Sequence, residues 1–351
     1  MKHILLLALM LTAAILCKGR QQDSLKRNYE LCLDSLEILL QRNGSFKKAV
    51  FLSENCFLEN QMQYEHFDNH ISQLVGIIEL LQQANPLRGY HFNDSINFEK
   101  NLSVFKFLKD TVRISDQLQN TYKLLPYGYS FNDFFGRENW SNMFVTKLLS
   151  THEGNCHSLP YLYKILVDEL GATCWISLAP NHIYVKNRCK KIGWYNTELT
   201  SGTFPIDAWI ATSGYVPLQA IQNGIYMDTL SNRQAIALCV LDLAKGYEFQ
   251  ARNYDDGFIL QCCDLVLQYH AVNVQAMLLK AETLKRIYEK QAKEKDVVAG
   301  DTYQQMEQLY VGLFDLGYRE MPEQMYQQWL QSVIKQQEKY SNQQLKATLA
   351  R

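Results

Sequence analysis

Apolar residues recur every three or four positions through residues 24–125 and again beyond Asn232, but the stretch between changes period. In the first part Leu33, Leu36 and Leu40, then Ile71, Leu74, Ile77, Ile78 and Leu81, each line one face of a helix. Asn85-Pro86 closes the second helix, because a residue before proline avoids helical backbone. Val104 to Leu125 reads as a further amphipathic helix ending before Pro126-Tyr127-Gly128. In the middle, Asn139 to Leu149 predicts a helix, and Ser158 to Leu170 predicts another, stopped by Gly171. Ala172–Leu178, His182–Lys186 and Trp194–Leu199 then read as strands. Helices joined to sequential antiparallel strands define an α+β class.

From Asn232 onward the helical period returns. Leu243-Ala244 with Tyr247 and Leu279-Lys280-Ala281 with Leu284 hold similar places, with an apolar-faced helix, Asp256 to Tyr269, between them. Paired helices at such a period resemble tetratricopeptide units; a plain helical bundle fits as well, and the signature Trp and Pro positions are not met. Residues 291–351 are polar and Gln-rich, with two helical patterns, and the last stretch is expected to be frayed or solvent-exposed. The linear division is therefore 1–19, 20–129, 130–220, 221–290 and 291–351.

Hydrophobic residues make up 47% of the 351, enough for packed cores in two or three domains. The net charge of -1 and the lack of a Lys/Arg block point away from nucleic acid. Residues 1–19 read as an export signal. Lys2 and His3 precede an apolar run, Ile4 to Leu16, broken by Thr12, and Cys17-Lys18-Gly19 follows. A run of about 13 residues is short of the roughly 20 that cross a bilayer. Its removal leaves a mature chain with no membrane span, expected to be periplasmic or extracellular. A short anchor, or a lipid on Cys17, is the alternative, although Leu16 is a poor fit before a lipidated cysteine. The other eight cysteines are irregularly spaced and suggest neither a zinc site nor a disulfide scaffold; the enzymatic reading below needs no metal or organic cofactor. Cys32 and Cys56 are a candidate pair in an oxidising compartment.

Cys156 follows Gly154-Asn155 and opens the predicted helix from Ser158, with Pro160 in its first turn. A helix start carries unpaired N–H groups and partial positive charge, which favour thiolate. If the strands around residue 190 pair with 182 opposite 198, 184 opposite 196 and 186 opposite 194, His182 and Glu198 become cross-strand neighbours. An imidazole oriented by an acceptor is what a cysteine nucleophile needs as its base. Moving the turn centre by one residue puts Asn196 opposite His182 instead, and an amide would also serve. The N–H of Cys156, with Asn139 or Asn142 on the preceding helix, are candidate oxyanion donors.

Gly154-Asn155-Cys156, then His182 on a strand, then Trp194-Tyr195-Asn196-Thr197-Glu198-Leu199-Thr200, resembles the transglutaminase-like superfamily over residues 130–220. The resemblance makes Cys156 the nucleophile, His182 the base and Glu198 the third member. Glutamate replaces the usual aspartate, with Trp194 four before it and Thr200 two after. It implies an exported cysteine hydrolase or acyltransferase acting on amide bonds of peptides or envelope material. The alternative is a scaffold that binds peptide or protein without turnover, with a protein partner on the C-terminal helices.

Overall fold

The computed structural model describes residues 2–115, 120–335 and 340–349; the side chains of 2–21, 115, 333, 334 and 349 lie outside that description. The export segment expected over 1–19, with Cys17, therefore falls outside the described side chains. Four helices come first: α1 (Lys2–Arg42), α2 (Phe46–Phe57), α3 (Tyr64–Ala84) and α4 (Ser95–Lys109). The hairpin β1 (Val112–Ser115) and β2 (Thr121–Leu124) and the short β3 (Gly128–Tyr129) follow. A 3₁₀ turn, Trp140–Met143, leads to α5 (Val145–Thr151), β4 (Glu153–Gly154) and α6 (Ser158–Glu169). Next are β5 (Trp175–Ala179), β6 (His182–Cys189), β7 (Gly193–Thr197), α7 (Asp207–Ser213) and α8 (Leu218–Gln222). The chain ends in α9 (Asn232–Ala251), α10 (Phe258–Tyr269), α11 (Val274–Glu294), α12 (Ala299–Asp315), α13 (Glu323–Lys335) and α14 (Gln343–Leu349). The class is α+β, mostly helix with small sheets. Among the described residues no helix is long and apolar enough to cross a membrane.

Two compact units cut across the linear division. One comprises residues 1–61, 236–271 and 275–310; the other comprises 62–235, 272–274 and 311–351. In the first, Tyr29 of α1 meets the rings of Tyr247 and Phe258 edge-on at 5.1 and 5.8 Å, and its hydroxyl donates to Gln250 Oε1 at 2.7 Å. Leu243, Ala244 and Tyr247 on α9, and Leu279, Ala281 and Leu284 on α11, are buried. Periodicity along the chain reports which face of a helix is apolar, not which distant helix will cover it. The first two helices therefore belong with α9–α12 and not with α3 and α4.

The second unit is built on the antiparallel sheet β5-β6-β7, on which α6 packs, with α3 and α4 behind it. Leu159, Leu162, Ile165 and Leu166 give α6 a wholly buried apolar stripe. Tyr163 Oη of α6 donates to the carbonyl of Asn101 at 2.9 Å, and Lys100 Nζ to the last-turn carbonyl of Leu170 at 2.6 Å. Both bonds join α4 to α6. The site described below lies entirely within this unit.

Three expectations are corrected. The helix expected over Val104 to Leu125 ends at Lys109, and Val112 and Leu124 pair in the hairpin β1–β2. A short apolar run fits both periods, so spacing alone does not separate helix from strand there. The helix expected from Asn139 to Leu149 is interrupted at Phe144, whose ψ of 138° is extended. The polar C-terminal region, its last stretch expected to be exposed, contributes α13, which buries Tyr326, Trp329 and Leu330 on one face.

The strand register differs as well. Val185 faces Thr197, Lys186 faces Asn196, and Cys189 faces Gly193. Gly193, at φ 83°, supplies the left-handed residue that closes the three-residue loop 190–192 and sets this register. Carried three residues further, position 182 faces 200. The slip relative to the expected pairing is two residues. Because side chains alternate with period two, His182 and Glu198 stay on one face as diagonal neighbours.

Candidate active site

Asn155 builds the start of α6. Its Oδ1 accepts the N–H groups of His157 and Ser158 at 2.9 and 3.0 Å, and its Nδ2 donates to the carbonyls of Phe134 and Asn142 at 3.0 and 3.1 Å. The capping side chain is thus fixed from both ends. Gly154 is required by space: a Cβ there would lie 2.5 Å from Ser158 Oγ and 2.8 Å from Leu148 Cδ1. Cys156 is held between this cap and the first turn of α6, where the helix dipole favours negative charge.

The β5–β6 hairpin, with Asn181 at φ 55° in its turn, brings His182 to the thiol. His182 Nε2 lies 2.6 Å from Glu198 Oε2. The other carboxylate oxygen accepts the N–H of Thr200 at 2.8 Å, which fixes the acid just beyond the end of β7. The ring's Nδ1 lies 3.2 Å from Tyr326 Oη, and that hydroxyl donates to Cys156 Sγ at 3.1 Å. Trp329, one turn further on α13, meets the imidazole edge-on at 4.7 Å and anchors its Nε1 on Ser213 Oγ at 3.0 Å. Phe134 and Phe135 pack on the ring of Tyr326 at 5.6 and 5.2 Å.

Burial alone would raise the Glu198 pKa, but the His182 charge and the Thr200 N–H hold it below the usual carboxylate range. An ionised carboxylate only accepts, so Nε2–H donates to it. Tyr326 spends its single proton on the sulfur, so the bond between its oxygen and Nδ1 needs a proton on Nδ1. With both nitrogens protonated, the ring is an imidazolium. Burial lowers the His182 pKa, yet the Glu198 carboxylate and the Cys156 sulfur outweigh it and raise it to about 10. Burial likewise pushes the Cys156 thiol up, and the His182 cation, the Tyr326 hydroxyl and the charge of His157 bring it below the ordinary value. Both shifts favour a thiolate–imidazolium pair bridged by a phenol. The site is closed: Cys156 is 5%, His182 4% and Glu198 2% exposed.

Cys156, His182 and Glu198 are thus brought together. The other sequence candidates are not. Asn196 faces Lys186 across the sheet and donates to Pro205 O and Asp207 Oδ1 at 3.0 and 2.8 Å, so it is not the acceptor for His182. The direction of the register slip moved it away. Asn142 is committed to Asp133 and to Lys147, and Asn139 caps the 3₁₀ turn through Ser141, so neither side chain serves the thiol. Trp194 is 43% exposed and sits against Trp175 and Arg188, on the far part of the hairpin. His152 stacks on Tyr127 at 4.5 Å, and His157 engages Met143 O through Nδ1 at 2.9 Å.

Tyr326 and Trp329 were not foreseen. Their spacing with Leu330 is a helical apolar stripe, which was the available signal, but nothing local ties that stripe to a cysteine 170 residues earlier. Among the described residues, no group of three or more His, Cys, Asp or Glu side chains is arranged to hold a metal ion. No protein-family model, no curated protein and no solved structure matches the chain.

Proposed function

We propose that this chain is a cysteine-dependent hydrolase or acyltransferase of the transglutaminase-like kind, exported, acting on amide bonds of peptides or envelope material. The observation that carries the reading is the unbroken line from Glu198 through His182 to Tyr326 and Cys156, with bonds of 2.6, 3.2 and 3.1 Å. In this reading the Cys156 sulfur attacks an acyl carbonyl and forms a thioester. His182 hands its Nδ1 proton to the departing amine. The imidazole then takes a proton from water, giving hydrolysis, or from a second amine, giving acyl transfer. Glu198 holds the ring in orientation and supports its charge throughout.

For substrate to reach the sulfur, Tyr326 must leave it, so α13 acts as the cover of the site. That cover is also what favours a second reading, a closed scaffold that binds peptide or protein without turnover. An activated acyl probe separates the two. Stoichiometric acylation of the wild type that is absent in Cys156→Ala supports the enzyme. Equal labelling of both proteins would remove Cys156 as nucleophile.

A further inference from the structure

The site holds a second tyrosine that the triad does not use. Tyr129 lies on β3, which pairs in parallel with β4 so that Tyr129 faces Gly154, two residues before the nucleophile. The Ser130 N–H donates to Gly154 O at 2.7 Å and locks this short ladder. The Tyr129 ring packs against the buried cluster that contains Cys156, Tyr326 and Phe134. Its hydroxyl is buried and makes no hydrogen bond of good geometry among the described residues, although it lies near enough to the Tyr326 hydroxyl and the Cys156 sulfur for both to act on its proton. A buried donor left unpaired costs about 1–3 kcal/mol, so such a group calls for an explanation. Burial raises the phenol pKa well above its ordinary value, and the neighbouring Cys156 sulfur and Glu198 carboxylate raise it further against the opposing Tyr326 hydroxyl; the proton stays on the oxygen. The backbone N–H of Cys156 is likewise without a partner among the described residues.

We propose that the Tyr129 hydroxyl is the side-chain oxyanion donor of this site and acts with the Cys156 N–H on the acyl oxygen of the substrate. The proposal rests on Cys156 being the nucleophile. When the sulfur attacks, the S–C bond forms and the C=O π pair moves onto oxygen. Tyr129 Oη–H and the Cys156 N–H then donate to that oxyanion. The pair returns as the bond to the leaving group breaks, and the leaving group departs with the proton from His182. Tyr326 cannot fill this role in the resting state, since its proton is on the sulfur. Tyr184 Oη is another buried hydroxyl without a hydrogen bond of good geometry, but the groups that act on it are Ser177, Asp207, Glu198 and Asp228, not Cys156.

The test compares two reactions of the same sulfur in the full chain. Acylation by p-nitrophenyl acetate passes through an oxyanion; alkylation by iodoacetamide does not. In Tyr129→Phe, acylation is expected to fall about 10²-fold, the usual loss for one oxyanion donor. Alkylation should stay within twofold of wild type, and Tyr184→Phe, the control for loss of a buried hydroxyl, should change neither rate. Unchanged acylation in Tyr129→Phe overturns the proposal and leaves the nucleophile standing. A parallel fall of both reactions also overturns it, because Tyr129 would then act on the thiolate and not on the acyl oxygen. A wild-type Cys156 that neither reagent modifies in the folded protein removes the nucleophile, and this inference with it.

Discussion

Glu198→Gln is the sharpest probe of the thiolate–imidazolium pair. The substitution keeps the shape of the side chain and removes its charge. His182 Nε2 and Glu198 Oε2 are 2.6 Å apart, which puts the charge centres at about 4 Å. At an effective dielectric of about 20, that separation is worth about 4 kcal/mol. One pKa unit corresponds to about 1.36 kcal/mol, so the carboxylate accounts for about three units. The imidazolium pKa, raised from 6.5 to about 10, has a lift of that size. Without the carboxylate, burial acts unopposed on the ring and returns it to the ordinary histidine range or below. The thiol then loses its cation, and its own pKa rises. The assay is the pH dependence of Cys156 alkylation by iodoacetamide. The midpoint should move up by two or more pH units, and the rate at pH 7 should fall on the order of 10²-fold. Stability should fall by about 1–3 kcal/mol in urea, since the amide still accepts the Nε2 proton but turns a donor toward the Thr200 N–H. A midpoint within half a unit of wild type would refute the assignment of charge.

Two further outcomes follow from the same network. His182, with its folded pKa raised to about 10, contributes stability that is complete below the unfolded value near 6.5 and is lost as pH rises through about 10. Glu198, held below the carboxylate range, contributes stability present above about pH 4.3 and lost as the solution is acidified further. Thermal melting from pH 3 to 11 should therefore show both an acid and an alkaline decline, and His182→Asn should flatten the alkaline one. Tyr326→Phe removes the hydroxyl that donates to the sulfur at 3.1 Å. A hydrogen bond to a charged group is worth about 1.5–3 kcal/mol, so the alkylation midpoint should rise by about one to two units. No change in that midpoint would show that Tyr326 only covers the sulfur.

Much of the site is written locally. Gly154-Asn155-Cys156 ahead of an apolar helix places a thiol at a helix start, because capping depends on residues next to one another along the chain. The alternation of β6 and β7 puts His182 and Glu198 on one face, and an even slip in register leaves that face unchanged. The longer glutamate spans the diagonal that the slip creates. The exact pairing was not legible, because it depends on one left-handed residue, Gly193, and on which residues the sheet packs against. Nor was the fate of Asn196, Asn142 and Trp194, each of which found other partners.

The amino-acid order alone thus determined an α+β chain and three polar side chains able to meet, since periods of two and 3.6 and the chemistry of a helix start act over a few residues. Only the tertiary structure decided what surrounds them. Tyr326 and Trp329 reach the sulfur and the imidazole from the far end of the chain, Tyr129 packs against the cluster around the sulfur from a two-residue parallel ladder, and the first two helices leave for another unit. Burial of apolar area is non-directional along the sequence, so the choice of partner is made by packing in three dimensions.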